Sequence, residues 1–184
     1  MSEPRSNEVS ICLKAMRDGD PSAVSRLLPH IYADLREIAG KIHRGDAGQA
    51  TLQPTALVHE AYMRLVDGQD YENRVHFLSV AALAMRQILV DYARRRRALK
   101  RGGDRSVVVL GEEVEEQTID LVALDDALGR LEELDARQAK TVTLRFFGGL
   151  TVEETAQELG VSSRTVKADW QMARRWLHRE LAEN

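Results

Sequence analysis

Apolar residues recur along this chain in steps of three and four, the spacing that puts side chains on one face of a helix. Val24, Leu27, Leu28, Ile31, Leu35, Ile38 and Ile42 form the first such stripe; Pro21 can open it and Pro29 can kink or restart it. Gly45 to Gly48 reads as a loop. Pro54 suits a first helical turn, and Leu57, Val58, Ala61, Leu65 and Val66 follow on one face. Asp67, Gly68, Gln69 and Asp70 then make a turn. From about Val75 a long helix carries Leu78, Ala81, Met85, Ile88, Leu89 and Tyr92 on one side and ends among arginines. Helical spacing resumes with Leu121, Leu124, Leu128, Leu131 and Leu134, then Ala139, Val142, Leu144 and Phe146, with Gly148 and Gly149 closing that run.

Between the two helical stretches the pattern fails. Residues 99–122 hold Gly102 and Gly103, a β-prone run at Val107, Val108 and Val109 with no visible partner strand, and an acidic tract from Glu112 to Gln117. The expectation is an all-α protein: a segment over residues 1–20, a helical domain over 21–98, a flexible acidic linker over 99–122 and a second helical domain over 123–184.

The last third carries the sharpest local signal. Thr151 and Glu154 stand in the capping-box arrangement, in which the Thr hydroxyl accepts from the third helical N–H and the Glu reaches back. Val152, Ala156 and Leu159 share a face, and Gly160 stands where a helix ends in a left-handed residue. Ser162 can cap a second helix with Val166, Trp170, Ala173 and Leu177 on its apolar side. Two helices joined by a short Gly-containing turn form a helix-turn-helix, whose second helix enters a DNA major groove. The plain alternative is a helical hairpin in a core. Caps, turn length and the cationic outer face favour the DNA reading.

Net charge is −3, which by itself argues against nucleic acid. The distribution argues the other way. From Arg94 to Arg105 there are seven basic residues and one acid; from Glu112 to Asp135 there are ten acids and one base. The local field, rather than the sum, decides what such a bipolar chain touches. Cations at a helix end also complement its dipole, but Arg94, Arg95, Arg96 and Arg97 in succession exceed what that needs. A phosphate contact is favoured. Cys12 is the single cysteine, so an internal disulfide is excluded. With no signal-like start and no long apolar run, the expectation is a cytoplasmic protein without a membrane anchor.

These motifs, in this order, resemble a bacterial RNA polymerase sigma factor of the extracytoplasmic-function (ECF) type over roughly residues 21–180. The run from Leu134 to Lys167 resembles sigma region four, the reader of the −35 promoter element; a Val-Lys-x-Asp-Trp sequence at residues 166–170 points to the ECF-like subgroup. Gln53 to Val66 resembles the region-two helix that docks on the polymerase clamp, and Phe77 through Arg97 the helix that meets the −10 element. Three departures stand out. His59 replaces the usual Gln of the clamp helix, Val80 replaces a common aromatic residue of the melting segment, and Asp169 replaces a common Arg of the recognition helix. An Asp facing phosphate would repel it, so Asp169 is expected to face a neighbouring helix or pair with a cation.

The resemblance implies a transcription initiation factor, not an enzyme, with core RNA polymerase and promoter DNA as partners and an anti-sigma protein as a partner the sequence leaves open. Ser163, Arg164, Thr165, Lys167, Ala168, Gln171, Arg174 and Arg175 are the expected −35 contacts. Tyr71, Asn73, Arg74, His76 and Phe77, with Arg94 to Arg97, are the expected −10 and melting residues; the two aromatic rings would offer stacking faces. The alternative there is a plain helix–helix loop with Phe77 in the core. Leu57, Glu60, Met63 and Arg64 are the expected polymerase contacts. The acidic linker would thread the polymerase near the template strand, or serve as an inert tether. The histidines at 30, 43, 59, 76 and 178 lack metal-ligand spacing, so no metal or cofactor is expected. The rival reading is a stand-alone helix-turn-helix regulator with an N-terminal sensing or dimerisation domain; the Gln53–Val66 helix and the Arg-tipped helix are features such a regulator does not require.

Overall fold

The computed structural model describes residues 3–20, 54–66, 71–99, 107–109 and 118–182, together with 22, 23, 26, 27, 29, 30 and 32. Most of the expected stripe from Val24 to Ile42 therefore lies outside the described residues, as do the Gly45–Gly48 loop and the turn at 67–70.

Residues 1–20, to which the apolar pattern assigns no element, contain a helix, α1 (Glu3–Arg17). It buries Val9, Cys12 and Leu13 on one face, and Lys14 and Arg17 in its last turn suit the negative end of its dipole. Pro54 opens α2 (Pro54–Val66), whose Val58, Ala61 and Leu65 are buried, as the spacing requires. The long helix is α3 (Arg74–Leu99), capped by Asn73, whose Oδ1 accepts from the His76 N–H at 3.0 Å. At about 1.5 Å per residue it runs about 39 Å.

Two stripes run along α3 on different faces. Leu78, Ala81, Met85 and Ile88 form the apolar one and are buried. Ser79, Ala82, Arg86, Val90 and Arg97 form the other, from which Ser79, Arg86 and Arg97 bond to the C-terminal part of the chain. By length and composition Arg74–Arg95 is apolar enough to cross a membrane. It is instead the central helix of the core, touching α1 and α2 as well as the helices that follow.

The linker departs from expectation. Val107–Val109 does have a partner: it pairs antiparallel with Thr118–Asp120, with Val108 opposite Ile119. These strands, β1 and β2, make a short ribbon; the other regular elements among the described residues are helical. Strand β2 runs directly into α4 (Leu121–Leu134), where the Asp120 carboxylate accepts from the N–H groups of Val122 (2.9 Å) and Ala123 (3.1 Å). Asp135 ends α4 and caps α5 (Ala136–Val142), accepting from the Gln138 N–H at 3.0 Å. A π turn (Thr143–Phe147) follows, then α6 (Val152–Leu159) and α7 (Ser163–Ala182). Buried side chains of α1, α2 and α3 and those of α4, α5, the π turn and α7 belong to one connected core.

Candidate nucleic-acid interface

The turn between α6 and α7 is built as its sequence requires. Thr151 Oγ1 accepts from the Glu154 N–H at 3.1 Å, and Glu154 Oε2 accepts from the Thr151 N–H at 2.9 Å. Gly160 closes α6 at φ 65°, a conformation that costs a side chain. Ser162 Oγ accepts from the Thr165 N–H at 3.1 Å and so starts α7. One side of α7 buries Val166, Asp169, Ala173 and Leu177. The opposite side exposes Arg164, Lys167, Ala168, Gln171 and Arg175, with Ser163, Thr165 and Arg174 partly covered at its margins. Met172, absent from the sequence-level set, is 56% exposed on that flank. Its signal was one apolar residue out of phase with the buried stripe.

Asp169 points away from this surface. Its carboxylate, 5% exposed, accepts from Arg137 Nε at 2.7 Å and Nη2 at 3.2 Å. The hydrogen bond to Asp169 holds the Arg137 guanidinium even more firmly charged than usual. Trp170 is half-buried against the core with the Arg145 guanidinium 4.6 Å from its ring centre. Neither Arg137 nor Arg145 figures in the sequence reading, since nothing local tells which cation meets an inward Asp or Trp.

At the start of α3 the expected residues divide. Tyr71 and Phe77 are 4% and 2% exposed, packed edge to face at 5.0 Å, and the Tyr71 hydroxyl donates to the Leu65 carbonyl at 2.7 Å. Both rings lie in the core here, as the plain helix–helix alternative has it for Phe77, and neither offers an open stacking face in this conformation. Asn73 and His76 do reach solvent. With Glu72, Val75, Gln157 and Glu158 they line a polar cleft of about 280 Å³. Arg74 is only 4% exposed and donates to Glu154 Oε1 at 2.6 Å. Arg94 meets Asp125 (3.1 Å) and Asp126 (3.4 Å), and Arg97 meets Asp120 at 2.6 Å. Arg95 is exposed; the side chain of Arg96 lies outside the described residues. Arg86, which sequence reasoning missed, reaches Asp125 at 2.8 Å. Among the described residues no group of His, Cys, Asp and Glu could hold a metal ion.

The ECF sigma factor family model matches residues 6–183, nearly the whole chain. The chain belongs to the ECF sigma factor family. Neither the curated proteins nor the solved structures give a match. Family members are non-catalytic transcription initiation factors that generally bind core RNA polymerase, promoter DNA and anti-sigma factors.

For an ECF sigma factor the exposed face of α2 is the other surface of interest. Glu60 and Arg64 pair across one turn at 3.1 Å, and Met63 beside them is 55% exposed. His59 is exposed as well. The side chain of Leu57 lies outside the described residues. An apolar Met flanked by an exposed charge pair is a surface that a partner helix can cover.

Proposed function

We propose that this sigma factor binds core RNA polymerase through α2 and directs it to a two-element promoter, with α7 reading the −35 element and the start of α3 holding the opened −10 strand. The stripe of Arg164, Lys167, Ala168, Gln171 and Arg175, opposite a fully packed inner face, is the observation that carries this reading. Arg and Gln at the N-terminal part of such a helix read base edges by paired hydrogen bonds, while Ala168 and Met172 suit a thymine methyl group. Arg174 and Arg175 stand further along, where cations fix register on phosphate.

At the −10 end Asn73 offers its amide N–H groups, since its Oδ1 is taken by the helix cap. His76 lines the same cleft, and its Nδ1 accepts from the Glu72 N–H at 3.3 Å, which leaves Nε2 for a ligand. The cations Arg74 and Arg94 to Arg97 supply the backbone neutralisation that holding a strand demands. The residues perform no covalent step; addressing and strand separation are the work, done in the cytoplasm where polymerase and chromosome meet.

The test is transcription in vitro. Core polymerase with the purified chain should initiate at mapped start sites on a subset of genomic fragments, each with two recurring elements upstream. A chain that bound duplex DNA tightly alone and left core polymerase inactive would overturn this reading.

A further inference from the structure

Leu83 stands in water on a helix that otherwise sorts its side chains by solvent. Phe77, Leu78, Met85, Ile88 and Val90 of α3 are buried, yet Leu83 in their midst is 55% exposed. It is the one large apolar side chain so open among the described residues of α3.

Its neighbours form a row. His76, Val80, Leu83, Gln87 and Arg94 recur in steps of four, three, four and seven, and so share the face turned away from Leu78, Ala81, Met85 and Ile88. At one end His76 lines the polar cleft together with Asn73. Val80 is partly covered, and Leu83 and Gln87 are exposed. At the other end Arg94 and Arg95 are exposed, Arg94 while paired with Asp125 and Asp126. The row runs from a polar cleft, across an apolar knob, to cations.

We infer that Leu83, with Val80 beside it, is the apolar wedge that covers the last base pair of the duplex at the edge of the opened −10 region. This rests on the promoter reading proposed above.

A lone exposed leucine is ordinary on a protein surface, so the surroundings have to give it a role. Charge selects the partner. Helix α3 carries six arginines and one acid, Asp91, which suits a polyanion. The apolar stretch of the row is two residues long, Val80 and Leu83, between His76 and Gln87. That is too short to seat the apolar face of a partner helix, which needs anchors over at least two turns. It is wide enough for one wedge against one base pair.

Spacing places the wedge. Leu83 lies seven residues from His76, about 10 Å along the helix axis, and Arg94 lies about 16 Å beyond. At about 3.4 Å per base step the first interval spans about three steps and the second about five. A strand held open at the cleft and a duplex lying over the arginines must therefore part between them, where Leu83 stands. Parting leaves one face of the last pair against water. Leu83 covers that face and thereby favours the open state. Tyr71 and Phe77 cannot do this work, since both rings are buried. An aliphatic wedge offers no hydrogen bond to a base edge, so it acts alike on every sequence at the fork.

The experiment uses the full chain with core polymerase on a promoter fragment with a mapped start site, with 2-aminopurine replacing adenine in the −10 element to report unstacking. Leu83→Ala and Leu83→Asn should each slow opening of the duplex about tenfold, the effect of losing one or two buried methylene contacts. Leu83→Met, which keeps an apolar side chain, should open at nearly the wild-type rate. Polymerase affinity, −35 preference and helical content should be unchanged, because the side chain is exposed. A template premelted through the −10 element should restore both slow variants. Exchanging A·T for G·C at the fork should change the absolute rates and leave the ratio of wild type to Leu83→Ala constant. Wild-type opening by Leu83→Ala or Leu83→Asn, or a defect that persists on the premelted template, would overturn the inference. So would weakened polymerase binding by Leu83→Ala, which would make this knob a protein contact. Failure of the promoter reading would show earlier, as no opening by the wild-type chain on any fragment, and would take the inference with it.

Discussion

Arg137 of α5 grips Asp169 of α7 through two hydrogen bonds, of 2.7 and 3.2 Å, and turns that acid away from the exposed stripe of α7. An Asp in this helix looks in sequence like an obstacle to phosphate. Its partner makes it a brace between α5 and α7.

Removing Arg137 would leave a buried carboxylate without its cation. Arg137→Ala should lower stability by about 1–3 kcal/mol, the cost of an orphaned buried polar group. Asp169→Arg, which sets two guanidinium groups against each other, should be at least as costly. The double variant Arg137→Asp with Asp169→Arg should recover part of the loss. Urea titration of all four proteins checks this; equal stability throughout would mean the pair contributes nothing.

Gly148 lies where α3 and the π turn approach closely. A Cβ there would stand 2.5 Å from the Leu144 carbonyl oxygen and 2.8 Å from Leu150 Cδ1 as well as from Ala82. Gly148→Ala should therefore destabilise by about 1–3 kcal/mol, as overpacking does. Ala82→Gly should not rescue it, because the backbone oxygen is the harder obstacle. Thermal melts of the single and double variants give the answer.

The α2 surface is predicted to be functional rather than structural. An exposed pair such as Glu60–Arg64 is worth about 0.3–0.5 kcal/mol, so exchanging the two charges should leave melting and helical content nearly unchanged. Binding to core polymerase should nevertheless weaken at least tenfold in the Glu60→Arg, Arg64→Glu protein. Unaltered affinity would move the polymerase contact to another face.

Burial raises the pKa of the Tyr71 phenol above its ordinary value near 10. The folded state thus favours the neutral phenol. Its contribution to stability is whole below about pH 10 and is lost as pH climbs past that value toward the folded pKa. Tyr71→Phe should flatten the alkaline fall in unfolding free energy, at a cost near neutrality of about 0.5–1.5 kcal/mol for the lost bond to the Leu65 carbonyl. An identical alkaline slope in both proteins would contradict the burial of this hydroxyl.

Local signals made the helix-turn-helix legible. Thr151, Gly160 and Ser162 each act within a few residues of their partners, so sequence spacing determines them. The second stripe of α3 was not legible, because Ser79, Ala82 and Arg86 are small or polar and carry no hydrophobic period. Pairing of β1 depended on Thr118–Asp120, a segment with one strongly β-forming residue and a helix cap among its three. The charge segregation of the chain was visible; that Arg74 finds Glu154, 80 residues away, was not, since opposite charges alone do not select a partner. Tyr71 and Phe77 show the same limit: an aromatic residue beside a turn reads equally as a stacking face or as core, and only the packing of α2 on α3 decides.

In the proposed function, reading and melting belong to separate modules. Abortive transcription by core polymerase should be compared with Arg164→Ala and Asn73→Ser, on duplex and premelted promoters, with each −35 base varied in turn. Ser keeps the α3 cap that Asn73 provides while removing its amide donors. Arg164→Ala should lose about 1–3 kcal/mol of preference at one or two −35 positions and still open duplex promoters that it occupies. Asn73→Ser should keep the −35 preference, fail on duplex templates and recover on a premelted one. If premelting rescues both variants equally and neither changes base preference, reading and melting are not divided between α7 and the start of α3.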